Sequence, residues 1–91
     1  MIVLVLDKAP APVRGEVTRW LLELKPGVFV GTVSALVREK LWQKVQGAAN
    51  VGGGFLLYPS NNEQGFILRS FGESHRKVID LDGLFLIRKP I

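Results

Sequence analysis

The sequence predicts an α+β fold, a two-layer sandwich with two helices against one small, mainly antiparallel sheet. Three observations carry this prediction. Short apolar runs rich in β-branched or aromatic residues open the chain and return toward its end. Two stretches among them repeat apolar residues at helical spacing, and glycine-, proline- and asparagine-rich segments punctuate the series. At 91 residues the chain makes one domain, residues 1–91. Such a domain should bury roughly 60–65% of its unfolded surface, a small core with little margin.

The elements follow in order. Residues 2–6 form a continuous apolar run, the pattern of a buried central strand. Pro10 and Pro12 cannot continue that strand and mark the connection. Val13, Val17, Trp20, Leu21 and Leu24 then gather on one helical face, with Arg14, Glu16, Arg19 and Glu23 largely on the other. This reading places Trp20 in the core, and Pro26-Gly27 stops the helix. Residues 28–30 make a short strand. Thr32 or Ser34 caps a second helix whose apolar positions are Val33, Leu36, Val37, Leu41, Trp42 and Val45.

Gly47 and the glycines at 52, 53 and 54 end that helix. Residues 55–58 and 66–71 read as a hairpin around the turn at 60–65, with Phe66, Leu68 and Ser70 on one side and Ile67, Arg69 and Phe71 on the other. Asp82-Gly83 is a turn signal before a last strand at 84–87. The predicted order is β-α-β-α-β-β-β. The last strand either closes its own sheet or adds to a partner's edge.

Composition limits the chemistry. With 47% hydrophobic and 22% charged residues, the chain is neither disordered nor fibrous. It has no cysteine, which removes disulfides, thiolate zinc sites and thiol nucleophiles together. Without such staples, dimerisation is the expected source of extra stability. Twelve Lys and Arg against eight Asp and Glu give a net charge of +4, which points to a polyanionic partner or to none, since many small basic domains bind no nucleic acid. The apolar opening lacks a basic leader and a cleavage site, and no run approaches the ~20 residues that span a membrane. The chain reads as soluble and cytoplasmic, with no membrane partner.

His75 is the one histidine, and it stands beside Arg76 and Lys77, whose charges lower a histidine pKa. It reads first as an ordinary loop residue, and its best functional use is phosphate contact rather than general-base work. Asp7 ends the first strand. It either hydrogen-bonds the following loop or serves as a ligand for Mg²⁺ or Mn²⁺, and a symmetric dimer would supply two such carboxylates. Asp80 and Asp82 fit turn chemistry better than a metal loop, and the glycine triplet lacks the Gly-Lys-Ser/Thr ending of a phosphate loop. Basic residues gather as Lys8 with Arg14, as Arg38 with Lys40 and Lys44, and as Arg76 with Lys77. Arg14 falls in the first turn of the predicted helix, where the dipole disfavours a cation unless an anion sits close by. The two tryptophans read as core rather than as a stacking platform, so duplex held by its phosphates suits the pattern better than single strands.

The run Trp20-Leu21-Leu22-Glu23, then Gly27-Val28-Phe29-Val30-Gly31, then Val33-Ser34-Ala35 with Arg38-Glu39 and Trp42, resembles the small CRISPR-associated adaptation protein family of type I-E systems. Gly65-Phe66, Phe71-Gly72 and Asp80-Leu81-Asp82-Gly83 extend the resemblance over nearly the whole chain. It implies a ferredoxin-like homodimer that bridges two dimers of the adaptation integrase and holds captured duplex DNA, the protospacer. It also implies backbone contacts from Arg14 and Arg76, with His75 at the other position of a basic pair and Lys77 next to it. The tail at 84–91, with Leu84, Phe85, Leu86 and Ile87, resembles the segment that docks on the integrase. Pro12 and Leu36 stand where a relative can carry a basic residue, which shifts the expected grip toward Lys8, Lys40 and Lys44. Asp7 matches the acidic residue of a wider family described as metal-dependent endoribonuclease or deoxyribonuclease. Three functions are therefore expected in order: a DNA-holding scaffold, a divalent-metal nuclease using Asp7 of both subunits, and a small dimer that binds a metabolite or only protein.

Overall fold

The computed structural model describes residues 1–72. Within them the order is β1 (Ile2–Asp7), α1 (Ala11–Val17), β2 (Leu22–Lys25), β3 (Val28–Gly31), α2 (Ala35–Gly47), β4 (Gly53–Pro59) and β5 (Phe66–Phe71). The five strands form one sheet in the order β2-β3-β1-β4-β5, and every neighbouring pair is antiparallel. Two β-α-β crossovers interlock: β3 lies between β1 and β2, and β1 lies between β3 and β4. This is the α+β two-layer arrangement predicted, with ferredoxin-like connectivity and β5 added beside β4.

The element order corrects one expectation. The order begins β-α-β-β-α-β-β, because the helix predicted to run as far as Leu24 stops at Val17 and a strand follows it. Three contacts explain the stop. The Thr18 hydroxyl donates back to the Arg14 carbonyl at 2.8 Å, beside the Thr18 amide at 2.9 Å, a back-bond that disfavours further helix. The Trp20 and Leu21 amides both turn back to the Val17 carbonyl at 3.0 Å, which tightens the last turn. Leu21 is then buried, anchoring the chain where Leu22 begins to pair with Val30. Trp20, expected in the core, lies in that turn and is 50% exposed.

Pro26-Gly27 is consequently the turn of the β2–β3 hairpin rather than a helix terminus. Gly27 has a φ of +83°, and a Cβ there would lie 2.6 Å from the Leu6 carbonyl oxygen. Both the turn conformation and the close approach to β1 require glycine. The second helix starts as predicted, since the Ser34 side chain accepts the Val37 amide at 3.2 Å. Leu36, read as apolar core, is exposed.

The core lies between the helices and one face of the sheet. Leu4 of β1 stands between Phe29 of β3 and Leu56 of β4, and all three are fully buried. Val17 of α1 with Leu41, Trp42 and Val45 of α2 cover them. Each such side chain contributes about 1.5–3 kcal/mol relative to leaving it in water. On β5 the predicted division holds: Ile67 and Phe71 pack against the core, and Phe71 meets Trp42 edge-on with ring centroids 5.3 Å apart.

The other sheet face is also apolar. Register places Val3 and Val5 of β1 beside Val30 and Val28 of β3 and beside Leu57 and Phe55 of β4, with Leu68 next to Leu57 on β5. Leu22 and Leu24 extend this face along β2 and are 65% and 60% exposed. Among the described residues, no helix packs over it. The predicted strand at 84–87 lies outside the described residues.

Candidate nucleic-acid interface

Asp7 ends β1 opposite Gly53, on the same sheet face as Val3 and Val5. Its carbonyl accepts the Gly52 amide at 2.9 Å, which ties the end of β1 to the chain entering β4. Lys8 follows with a φ of +57° and is exposed. The glycine triplet that matches no phosphate loop has a packing use instead. A Cβ on Gly54 would lie 2.6 Å from the Val5 carbonyl oxygen, so β1 and β4 approach closely there.

Among the described residues, no three His, Cys, Asp or Glu side chains gather into a metal-binding group. One Asp7 offers two carboxylate oxygens, whereas a divalent cation that activates water needs further fixed ligands. The described residues of a single chain therefore do not fit a catalytic metal centre, and no cleavage step follows from them.

Most basic side chains on the helices carry a partner. Arg14 makes a two-pronged ion pair with Glu23: Nε donates to Oε2 and Nη2 to Oε1, both at 3.1 Å. The Gly27 amide donates to the same Oε2 at 3.1 Å. Glu23 of β2 thus supplies Arg14 with a counter-anion. The Arg14 hydrogen bond and, after it, the Gly27 amide hold the Glu23 carboxyl below its ordinary pKa. Because α1 is short, Arg14 falls in its last turn, where a cation is favoured by the dipole.

Lys44 of α2 reaches across to Glu16 of α1 at 2.7 Å, and Arg19 lies 3.7 Å from the same carboxylate. Lys44 flanks a groove of about 290 Å³ between the helices, whose walls include Val13, Val17, Leu41 and Val45. Arg38 and Arg69 share Glu39, at 2.9 and 2.7 Å. The Arg69 hydrogen bond, then that of Arg38, lowers the Glu39 pKa. Arg38 also covers the Tyr58 ring at 3.9 Å, and Arg69 lies 5.6 Å from the Trp42 ring centroid. Lys8, Lys25 and Lys40 are exposed and make no ion pair with a described carboxylate.

Beside this geometry stands a comparison with known families. The family model described as CRISPR-associated protein (Cas_Cas2CT1978) matches residues 1–86. The chain belongs to this CRISPR-associated family. The resemblance drawn from the residues is thereby borne out at the level of the family.

Within this CRISPR-associated chain, the structure sorts the predicted contacts into distinct settings. Lys8 and Lys40 are open to solvent, Lys44 and Arg14 are exposed but paired, and Arg38 is stacked on Tyr58. His75, Arg76, Lys77 and the tail residues Leu84, Phe85, Leu86 and Ile87 lie outside the described residues. The sequence reading missed Glu23 and Glu39 as partners of arginines. The signal for Glu23 was available: residues 22–25 alternate apolar and polar immediately before Pro26-Gly27, which is hairpin spacing. No helix among the described residues is long and apolar enough to cross a membrane.

Proposed function

We propose that this chain is the homodimeric scaffold of a spacer-acquisition complex, bridging integrase dimers and holding captured duplex DNA through its phosphates. The observation that carries the reading is the division of the molecule into two unlike faces. One sheet face is a continuous apolar surface built from Val3, Val5, Val28, Val30, Phe55 and Leu57. Exposed cations stand on the helices and on the connection after β1.

An apolar sheet face of this kind suits stacking against a second copy, with sheets about 10 Å apart and a self-complementary two-fold interface. Such an association leaves the helices outward in both protomers. Phosphates recognised from there would meet Lys8 and Lys40 directly. Lys44 and Arg14 can exchange or share their carboxylates, since exposed ion pairs hold together by only about 0–1 kcal/mol. Contacts of this type position a duplex without reading its bases.

The test combines mass measurement with titration. Light scattering should give twice the chain mass at micromolar concentration. Titration with a ~30-base-pair duplex should give a log–log salt slope of about −5 if Arg14, Arg76 and Lys77 of both protomers touch phosphates, a loss on the order of 10³ between 50 and 200 mM salt. Co-purification with an integrase completes the reading. A monomer, or a duplex affinity indifferent to salt, overturns it.

A further inference from the structure

Glu23 occupies an unusual place for an acidic residue in a protein proposed to hold DNA. Its carboxylate is fixed from two sides, by the Gly27 amide of the β2–β3 turn and by the Arg14 side chain of α1. The pair uses the Nε and Nη2 edge of the guanidinium. Guanidinium carries five N–H groups in a rigid plane, so this side-on pairing leaves the Nη1 edge for a second forked acceptor. Arg14 remains 45% exposed while so held.

We infer that Glu23 is a positioning residue for Arg14, fixing its guanidinium so that the outward edge can take a phosphate of bound duplex. The inference rests on the proposed DNA-holding function. Without Glu23, Arg14 is a long side chain free to sample many rotamers, and that freedom must be lost each time a phosphate binds. Immobilising such a side chain in advance is worth about two- to tenfold in affinity for each arginine engaged. The turn amide matters here too, because it anchors Glu23 to the sheet, so that Arg14 is referenced to β2 rather than to its own short helix.

The experiment has a sign that simple charge cannot imitate. Glu23→Gln removes a negative charge, so bulk electrostatics alone predicts tighter duplex binding. Positioning predicts the reverse. The full chain would be titrated with the same ~30-base-pair duplex at 50, 100 and 200 mM salt, a range that exposes phosphate contacts. Expected is a two- to tenfold weaker affinity for Glu23→Gln, an intermediate value for Glu23→Asp, and a salt slope reduced toward that of Arg14→Gln. In the Arg14→Gln background, Glu23→Gln should cause no further weakening, the non-additivity of a coupled pair.

Far-ultraviolet circular dichroism and melting establish that each variant is folded. Should Glu23→Gln not fold, Glu23→Asp carries the test, since its charge is unchanged and only its reach differs. Equal or tighter binding by the glutamine variant overturns the positioning role while leaving the DNA-holding function intact. Wild-type affinity in Arg14→Gln takes Arg14 off the DNA and overturns the inference too, whereas no duplex binding by wild type overturns the function on which it rests.

Discussion

The guanidinium of Arg38 lies over the Tyr58 ring at 3.9 Å from its centroid, so a cation expected at the surface is part of the packing between α2 and β4. Glu39 holds Arg38 from one side and Arg69 from β5 as well. Charge here fastens a helix to a sheet edge.

Arg38→Lys isolates that role. Lysine keeps the charge but loses the planar stack on the ring. The variant should lose about 0.5–1 kcal/mol of stability in urea melts, the worth of an accessible cation–π contact. Its duplex salt slope should stay near that of wild type. A large change in slope with unchanged stability would place Arg38 on the DNA instead.

Acid should weaken the fold through the same carboxylates. Glu16, Glu23 and Glu39 all have pKa values lowered from the ordinary 4.5, chiefly by hydrogen bonds from Lys44, Arg14 and Arg69 respectively. A lowered folded-state pKa contributes stability that is present above the unfolded value and is lost as pH falls through the folded one. The urea midpoint should therefore be steady from pH 7 to about 5 and decline below about 4.5. Glu39→Gln should show a smaller decline than wild type over that window. An equal decline in both would remove Glu39 from the linkage.

Leu57→Glu places a carboxylate in the middle of the open apolar face, beside Val3 on β1 and Leu68 on β5. The helix-side core does not include this position, so the fold should survive. A buried unpaired charge at an interface costs several kcal/mol, enough to dissociate a small dimer. Light scattering should report the monomer mass with an unchanged circular dichroism spectrum. A persistent dimer would move the interface elsewhere.

Gly27→Ala tests the hairpin turn. The φ of +83° opposes a side chain, and so does the Leu6 carbonyl oxygen, which would stand 2.6 Å from the added Cβ. The expected cost is about 1–3 kcal/mol in a urea melt. Asparagine tolerates positive φ better than alanine but keeps its Cβ. Gly27→Asn should therefore not restore stability, and recovery in that variant would assign the whole cost to φ.

Much of this architecture is legible in the residues, and apart from Leu36, which is exposed on α2, the failure lies in one region. The apolar run at the start, the Ser34 cap and the alternation from Phe66 to Phe71 each report a local energy, so β1, α2 and β5 are found where expected. The stretch after α1 is different. Val13, Val17, Trp20, Leu21 and Leu24 satisfy a helical period, yet Leu22 and Leu24 face the open side of a strand. Backbone pairing with β3, nonlocal in its energy, overrides the local pattern.

The same misreading hid the Arg14–Glu23 pair. In a continuous helix two residues nine apart lie two and a half turns and about 13.5 Å apart along the axis, too far to pair. Only the break after Val17 folds Glu23 back against Arg14, so the strand had to be seen before the pair could be.

The strand order β2-β3-β1-β4-β5 has a consequence for synthesis. The central strand is made before both of its neighbours, and its second neighbour, β4, begins only at Gly53. On the ribosome, β1 therefore keeps one apolar edge unpaired for more than half of the described chain, even after β3 has joined its other side. Nascent-chain handling, rather than the final stability of the domain, is the stage at which this sequence is most exposed to aggregation.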